Sequence, residues 1–143
     1  MQSSPSRRNT AAALTRPPTR EQLFDIAIDE SRKAVEARLV GFWSAADARD
    51  YVAAMGLVLA RARSGEPSLN VLIDRSEAQV QSSGVLEIIQ QAVRDHLRPD
   101  DRLAVVCRSA LMRRQVNRVP GPTSMRIFSE LGQARSWLNE VAI

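Results

Sequence analysis

Polar and apolar positions change period several times along this chain, and each change marks an element. Phe24, Ile26 and Ile28 alternate with Asp25, Ala27 and Asp29, which is the two-residue period of a half-buried strand. A polar turn over Asp29–Lys33 leads to a second alternation, Val35, Ala37 and Leu39 against Glu36 and Arg38, so the pair predicts an antiparallel hairpin. At Ser44 the period lengthens. Ala48, Tyr51, Val52, Met55 and Leu59 share one helical face, Ser44 and Asp47 form a capping box, and Ser64-Gly65-Glu66-Pro67 supplies the stop.

The second half repeats strand and helix in turn. Leu69–Ile73 is apolar apart from Asn70 and predicts a strand covered on both faces, ending at Asp74. After the polar connector Arg75–Gln81, a helix opens at Ser82-Ser83-Gly84 with Val85, Ile88, Ile89, Ala92 and Val93 inward. Leu103–Cys107 is a further buried strand. Ser109 caps a shorter helix with Leu111, Met112, Gln115, Val116 and Val119 inward, and Pro120-Gly121-Pro122 ends it. Met125–Phe128 is the last strand, and Leu131, Ala134, Trp137, Leu138 and Val141 line a final helix. The order β-β-α-β-α-β-α-β-α predicts an α/β fold, a mixed and mainly parallel sheet of about five strands covered by four helices.

Composition narrows the function classes. The net charge of +4 invites a nucleic-acid reading, but Arg7, Arg8, Arg16 and Arg20 supply all of it. From Glu21 onward sixteen basic residues face sixteen acids, and the chain has only six aromatics, most at predicted core positions. Basic grooves with stacking aromatics are therefore not expected, nor is nucleic acid as a partner. Residues 1–20, rich in Ser, Thr, Pro and Arg, read as a disordered basic tail, and residues 21–143 as one domain. The run Ala11–Leu14 is too short for a secretory signal core, and no segment reaches the ~18 apolar residues of a membrane span. The single Cys107 lies in an apolar run and reads as a buried thiol, so a reducing cytoplasm is the expected setting.

Chemistry-bearing residues concentrate where strands end. Ser82, Ser83 and Gly84 put two hydroxyls at a helix N-terminus, where unpaired N–H groups and the macrodipole favour anions. The plainer reading makes both serines caps, each contributing about 0.5–2 kcal/mol. Asp74 and Arg75 at a strand end are either a polar ligand contact or a solvated terminus. Arg108, Arg113, Arg114, Arg118 and Arg126 form a basic cluster around the third helix, which either binds an anionic partner or is a solvated face. His96, the lone histidine, sits at the far end of the helix from Ser82, so no Ser-His-Asp set converges. No metal-ligand cluster, phosphate loop or dinucleotide glycine motif is present, and no cofactor is expected. Leu23, Phe42 or Val119, if exposed, would seed a homodimer.

The element order over Phe24–Ala142, the Gln81-Ser82-Ser83-Gly84 turn, the Gly41-Phe42-Trp43-Ser44 junction and the ending Phe128 … Ala134 … Trp137-Leu138 together resemble the STAS/SpoIIAA-like superfamily. That resemblance implies a non-catalytic bacterial regulatory domain acting through protein–protein interaction with an anti-sigma-type partner. It implies a phosphoacceptor at Ser82, with Ser83 and Gly84 shaping the helix start. The departure is Gln81, which stands where the family has Asp and supplies no carboxylate. The SEC14-like side of the resemblance implies the alternative, a lipid- or small-anion-binding module with an apolar cavity between sheet and helices, bordered by Arg108 and Arg114.

Overall fold

The computed structural model describes residues 23–30, 33–117 and 124–140. The basic tail, Arg118, Val119, the Pro120-Gly121-Pro122 stop and Val141 lie outside them. Nine elements follow in the predicted order: β1 (Phe24–Asp29), β2 (Ala34–Gly41), α1 (Ala45–Arg63), β3 (Asn70–Ala78), α2 (Ser83–His96), β4 (Arg102–Val106), α3 (Ala110–Asn117), β5 (Ser124–Phe128) and α4 (Leu131–Asn139).

The sheet runs β1-β2-β3-β4-β5, with β1 antiparallel on β2 and the other neighbours parallel. Because strand order follows chain order, every crossover winds the same way and its helix lands on the same face. Accordingly α1, α2 and α3 cover one face over Val35, Ala37, Leu39, Val71, Leu103 and Val105. The opposite face is left to α4, whose Ala134, Trp137 and Leu138 pack on Leu72, Ala104 and Val106. The central strands are thus apolar on both sides, as their unbroken runs predict.

Local chemistry fixes the helix ends. Ser44 Oγ accepts from the Asp47 N–H at 3.1 Å while Asp47 Oδ2 accepts from the Ser44 N–H at 2.9 Å, closing the capping box. Gly65 takes φ +80° just past α1, a left-handed position that suits glycine. Ser109 Oγ accepts from the Met112 N–H at 3.2 Å at the start of α3.

Two expectations need correction. Strand β3 does not stop at Asp74 but runs to Ala78, because a bulge realigns it with β2: Arg38 pairs with Asp74, and two residues on Val40 pairs with Glu77. Leu111 is exposed, since Met112 and Val116 alone fill the inner side of the short α3. Ile88, Ile89 and Val93 of α2 face the core as expected, although they and Ala92 are half-buried and only Val85 is fully buried. The reason is spacing: α2 leans on α1, with Gly56 against the His96 ring, and stands off from the sheet.

Candidate functional site

Gln81 is the structural centre of the Ser82 turn. It is buried, and its side chain is fully engaged: Oε1 accepts from the Trp43 N–H at 2.9 Å, and Nε2 donates to the carbonyls of Gly41 at 3.0 Å and Gln79 at 2.8 Å. Its backbone is clasped as well, by Gln115 of α3, whose Oε1 accepts from the Gln81 N–H at 3.4 Å and whose Nε2 donates to the Gln81 carbonyl at 3.1 Å. An amide is the chemically apt side chain here, because the position demands one acceptor and two donors. A carboxylate would meet two carbonyl oxygens. Gln81 therefore has a structural account: the residue ties the β2–α1 junction and α3 to the start of α2.

That clasp presents the serines. Ser82 is the N-cap of α2, its Oγ accepting from the Val85 N–H at 3.3 Å, and it is exposed together with Ser83 and Gly84. Phe42 lies between the two residues that Gln81 holds and is 57% exposed, and Leu111, one turn before Gln115 on α3, is 54% exposed. Both large exposed apolar side chains thus sit on segments that are pinned to Gln81, the residue before the hydroxyls. Val119 lies outside the described residues, and Leu23 is half-buried against the core, which removes it as an exposed dimer seed.

The remaining predicted residues do not converge there. Asp74 and Arg75 are interior strand residues pointing to opposite faces of the sheet. Asp74 is half-buried, and its Oδ1 accepts from the Ser76 N–H at 3.0 Å beside the bulge. Arg75 follows Val71 and Ile73 onto the helix-covered face and is only 6% exposed. It is not a rim residue at all. Its Nε and Nη2 have no hydrogen-bond partner, burial draws the guanidinium below its usual range, and Cys107 and Tyr51 nearby partly offset this. Burial in turn pushes the Tyr51 hydroxyl up, against a smaller opposing pull from Arg75.

The basic cluster is also dispersed. Arg108 is exposed and its Nε donates to the Ser129 carbonyl at 3.4 Å, and Arg114 is exposed on α3. Arg126 stacks instead over Phe128 and Trp137 at 5.5 and 5.8 Å, on the α4 side, joined there by Arg102 at 4.1 Å from the Trp137 ring. Arg118 lies outside the described residues. A cavity of about 90 Å³ does open between the sheet, α1 and α2, but its border differs from the expected one: Arg75, Tyr51 and His96 line it, and neither Arg108 nor Arg114 does.

Asp101 is a residue the pattern of turns concealed. It is fully buried, accepting from Arg63 Nη1 at 3.0 Å and Nη2 at 2.6 Å, from the Leu69 N–H at 2.8 Å and from the Arg98 N–H at 2.8 Å. Burial pushes its carboxyl up, but Arg63 and the two amides together hold it below the ordinary value. This is a clamp between α1, β3 and the α2–β4 turn. Its only sequence signal is the Asp100-Asp101 pair after Pro99.

Among the described residues no three His, Cys, Asp or Glu side chains gather to hold a metal ion, and no helix is long and apolar enough to cross a membrane.

No protein-family profile matches the chain, and no curated protein sequence does. Solved structures do. The chain is similar to an uncharacterized protein of the DUF3478 family with a SpoIIAA-like fold from Shewanella loihica PV-4, at 21% identity and TM-score 0.58, covering 80% of this chain and 93% of that one. It is similar to the anti-sigma factor antagonist SpoIIAA in its unphosphorylated form, at 13% identity and TM-score 0.59, covering 82% and 99%. It is similar to an anti-sigma factor antagonist from Mycobacterium paratuberculosis, at 17% identity and TM-score 0.59, covering 82% and 95%. Five strands, four helices and these likenesses agree on one statement: the chain has the STAS/SpoIIAA-like fold.

Proposed function

We infer that this chain is a regulatory domain that works by binding a protein partner at the Ser82 helix start and performs no catalysis itself. The observation that carries this reading is the pair of exposed hydroxyls at Ser82 and Ser83, at a turn that the Gln81 clasp ties to the segments carrying exposed Phe42 and Leu111. Apolar anchors around a small polar centre make a docking patch, since aromatic side chains at the middle of an interface contribute most of its energy. Two of the similar structures are anti-sigma factor antagonists, which favours an anti-sigma-type regulator as the partner.

Phosphorylation at Ser82 would switch such a patch. A phosphoryl group adds ~1.5 to 2 negative charges, and at the N-cap of α2 the helix dipole accommodates it without unfolding the helix. Its effect would fall on the partner, which meets a dianion where a hydroxyl had been. Gln81, the residue before Ser82, is uncharged and so adds no repulsion to the incoming phosphate.

Incubation with the anti-sigma-factor kinases of the source organism, followed by mass-spectrometric mapping, tests this. The expected result is phosphate on Ser82 and about tenfold or greater weakening of partner binding by Ser82→Asp. An unmodified Ser82 and Ser83, together with unchanged binding by Ser82→Asp, would contradict it.

A further inference from the structure

The two faces of the sheet are unequally covered. Three helices lie over one face, whereas α4 alone serves the other, packing on Leu72 of β3, Ala104 and Val106 of β4 and Phe128 of β5. Among the described elements no helix lies over β1 and β2 on that side. What those strands present there follows from parity. Phe24, Ile26 and Ile28 turn toward the helix-covered core, so Asp25, Ala27 and Asp29 face the other way. Glu36 and Arg38 alternate in the same sense with Val35, Ala37 and Leu39, and Asp74 shares the side of Leu72.

The charge on this open half-face is lopsided. Arg38 pairs with Glu77, and Arg135 reaches over from α4 to both carboxylate oxygens of Glu36 at 3.1 and 2.9 Å. The Glu36 hydrogen bonds raise the Arg135 guanidinium, burial opposes the rise, and the Asp29 and Asp74 charges add to it, so three carboxylates surround one cation. With Asp25 paired across the hairpin to Arg38, five carboxylates share two guanidiniums. Such an excess repels itself and attracts cations. The opposite excess lies at the entry to β1: residues 1–20 carry Arg7, Arg8, Arg16 and Arg20 and no acid, while the rest of the chain is neutral. The tether is long enough to bring the two together. At ~3.6 Å per extended residue, Arg20 reaches about 14 Å from Phe24 and Arg16 about 29 Å, against ~17 Å for the length of β1 and ~10 Å from β1 to β3.

We propose that the arginine-bearing segment of residues 7–20 docks on this face of its own chain, with Arg16 and Arg20 meeting the acidic surface of Asp25, Asp29 and Asp74. Single exposed ion pairs are weak, but attachment next to β1 gives the segment an effective concentration on the order of millimolar. Docking is therefore reversible and sensitive to salt. The face lies across the sheet from α2, so the proposal stands or falls independently of the Ser82 docking surface.

The test is paramagnetic relaxation enhancement on the full chain, with a nitroxide on Thr10→Cys and backbone amides read by heteronuclear NMR. Cys107 is buried and takes no label. At about 0.01 M salt, where charges act over about 30 Å, the amides of Ala27, Glu36 and Arg135 should lose about half their signal or more, and those of Leu57 on α1 and Gln91 on α2 should not. The losses should vanish at about 1 M salt, where the range is about 3 Å. They should vanish equally when Arg7→Gln, Arg8→Gln, Arg16→Gln and Arg20→Gln are combined, a change outside the described residues. Asp25→Asn with Asp29→Asn should reduce them from the other side of the contact. Mixing spin-labelled chain with isotope-labelled chain that carries no nitroxide tells the copies apart, and no loss is expected there. Four results would overturn the proposal: an undiminished Arg135 signal, equal losses on the α1–α2 side, losses indifferent to salt or to the four arginine substitutions, or losses that arise between chains.

Discussion

Replacing Gln81 measures what holds the candidate surface in place. Gln81→Ala removes three side-chain hydrogen bonds of 2.8 to 3.0 Å and leaves the buried Trp43 N–H without an acceptor. Each bond contributes about 0.5–1.5 kcal/mol net, and an orphaned buried donor costs about 1–3 kcal/mol. A loss of about 3 kcal/mol follows, equivalent to a fall in Tm on the order of 10 °C for a domain of this size. Urea unfolding followed by tryptophan fluorescence reads it, with Trp43 reporting from the perturbed junction. The midpoint should drop at unchanged slope. Gln81→Glu sharpens the test through pH. It keeps the acceptor for Trp43 but turns a charged oxygen toward the carbonyls of Gly41 and Gln79, which raises the introduced carboxyl in the folded state above its unfolded value of about 4.3. Stability relative to the parent should therefore be best below about pH 4 and decline as pH rises through the raised folded pKa. A Gln81→Ala variant within about 0.5 kcal/mol of the parent, or a Gln81→Glu variant that gains stability toward neutral pH, would refute the clasp.

Other residues give independent checks. Asp101→Ala strands the Arg63 guanidinium and two buried amides, so a loss of about 3–5 kcal/mol is expected in chemical denaturation. Because the Asp101 carboxyl is held below its ordinary value, its contribution is complete above about pH 4 and fades as pH falls through the lowered folded value; acid titration of the parent against Asp101→Asn reads this. Arg75→Met, replacing a buried charge whose Nε and Nη2 are unpartnered by an apolar chain of similar length, should stabilise the protein by about 1–3 kcal/mol, and a loss of that size would show that the guanidinium has a protein partner. Ser44→Ala removes one half of the α1 capping box and should cost about 1 kcal/mol in the same assay.

The sequence revealed the layers more readily than the site, for a physical reason. Strand and helix periods are local, so the hairpin of Phe24/Ile26/Ile28 and Val35/Ala37/Leu39, the Ser44–Asp47 box and the α4 face of Ala134, Trp137 and Leu138 are written in short windows. The hydroxyls at the start of α2 were legible in the same way. Amphipathic periodicity says which side of α2 faces inward, but not how far it stands from the sheet, so the cavity was invisible in outline. Arg75 did leave a signal: it keeps the parity of Val71 and Ile73, and a strand carried two residues further would have buried it. The bulge that extends β3 depends on β2, which a window around Asp74 does not contain. Gln81 and Asp101 are harder still, because the partners that tie them to other elements lie 32 to 40 residues away along the chain.

Site-specific photocrosslinking addresses the docking surface most directly. A benzoylphenylalanine in place of Phe42 at the patch, or of the exposed Leu57 on α1 as a control, would be expressed in the source organism and irradiated. The patch position should yield one discrete protein adduct that disappears when Ser82→Asp is added, and the control should yield none. Equal adducts from both positions, or a patch adduct indifferent to Ser82→Asp, would contradict the assignment of this surface to a partner.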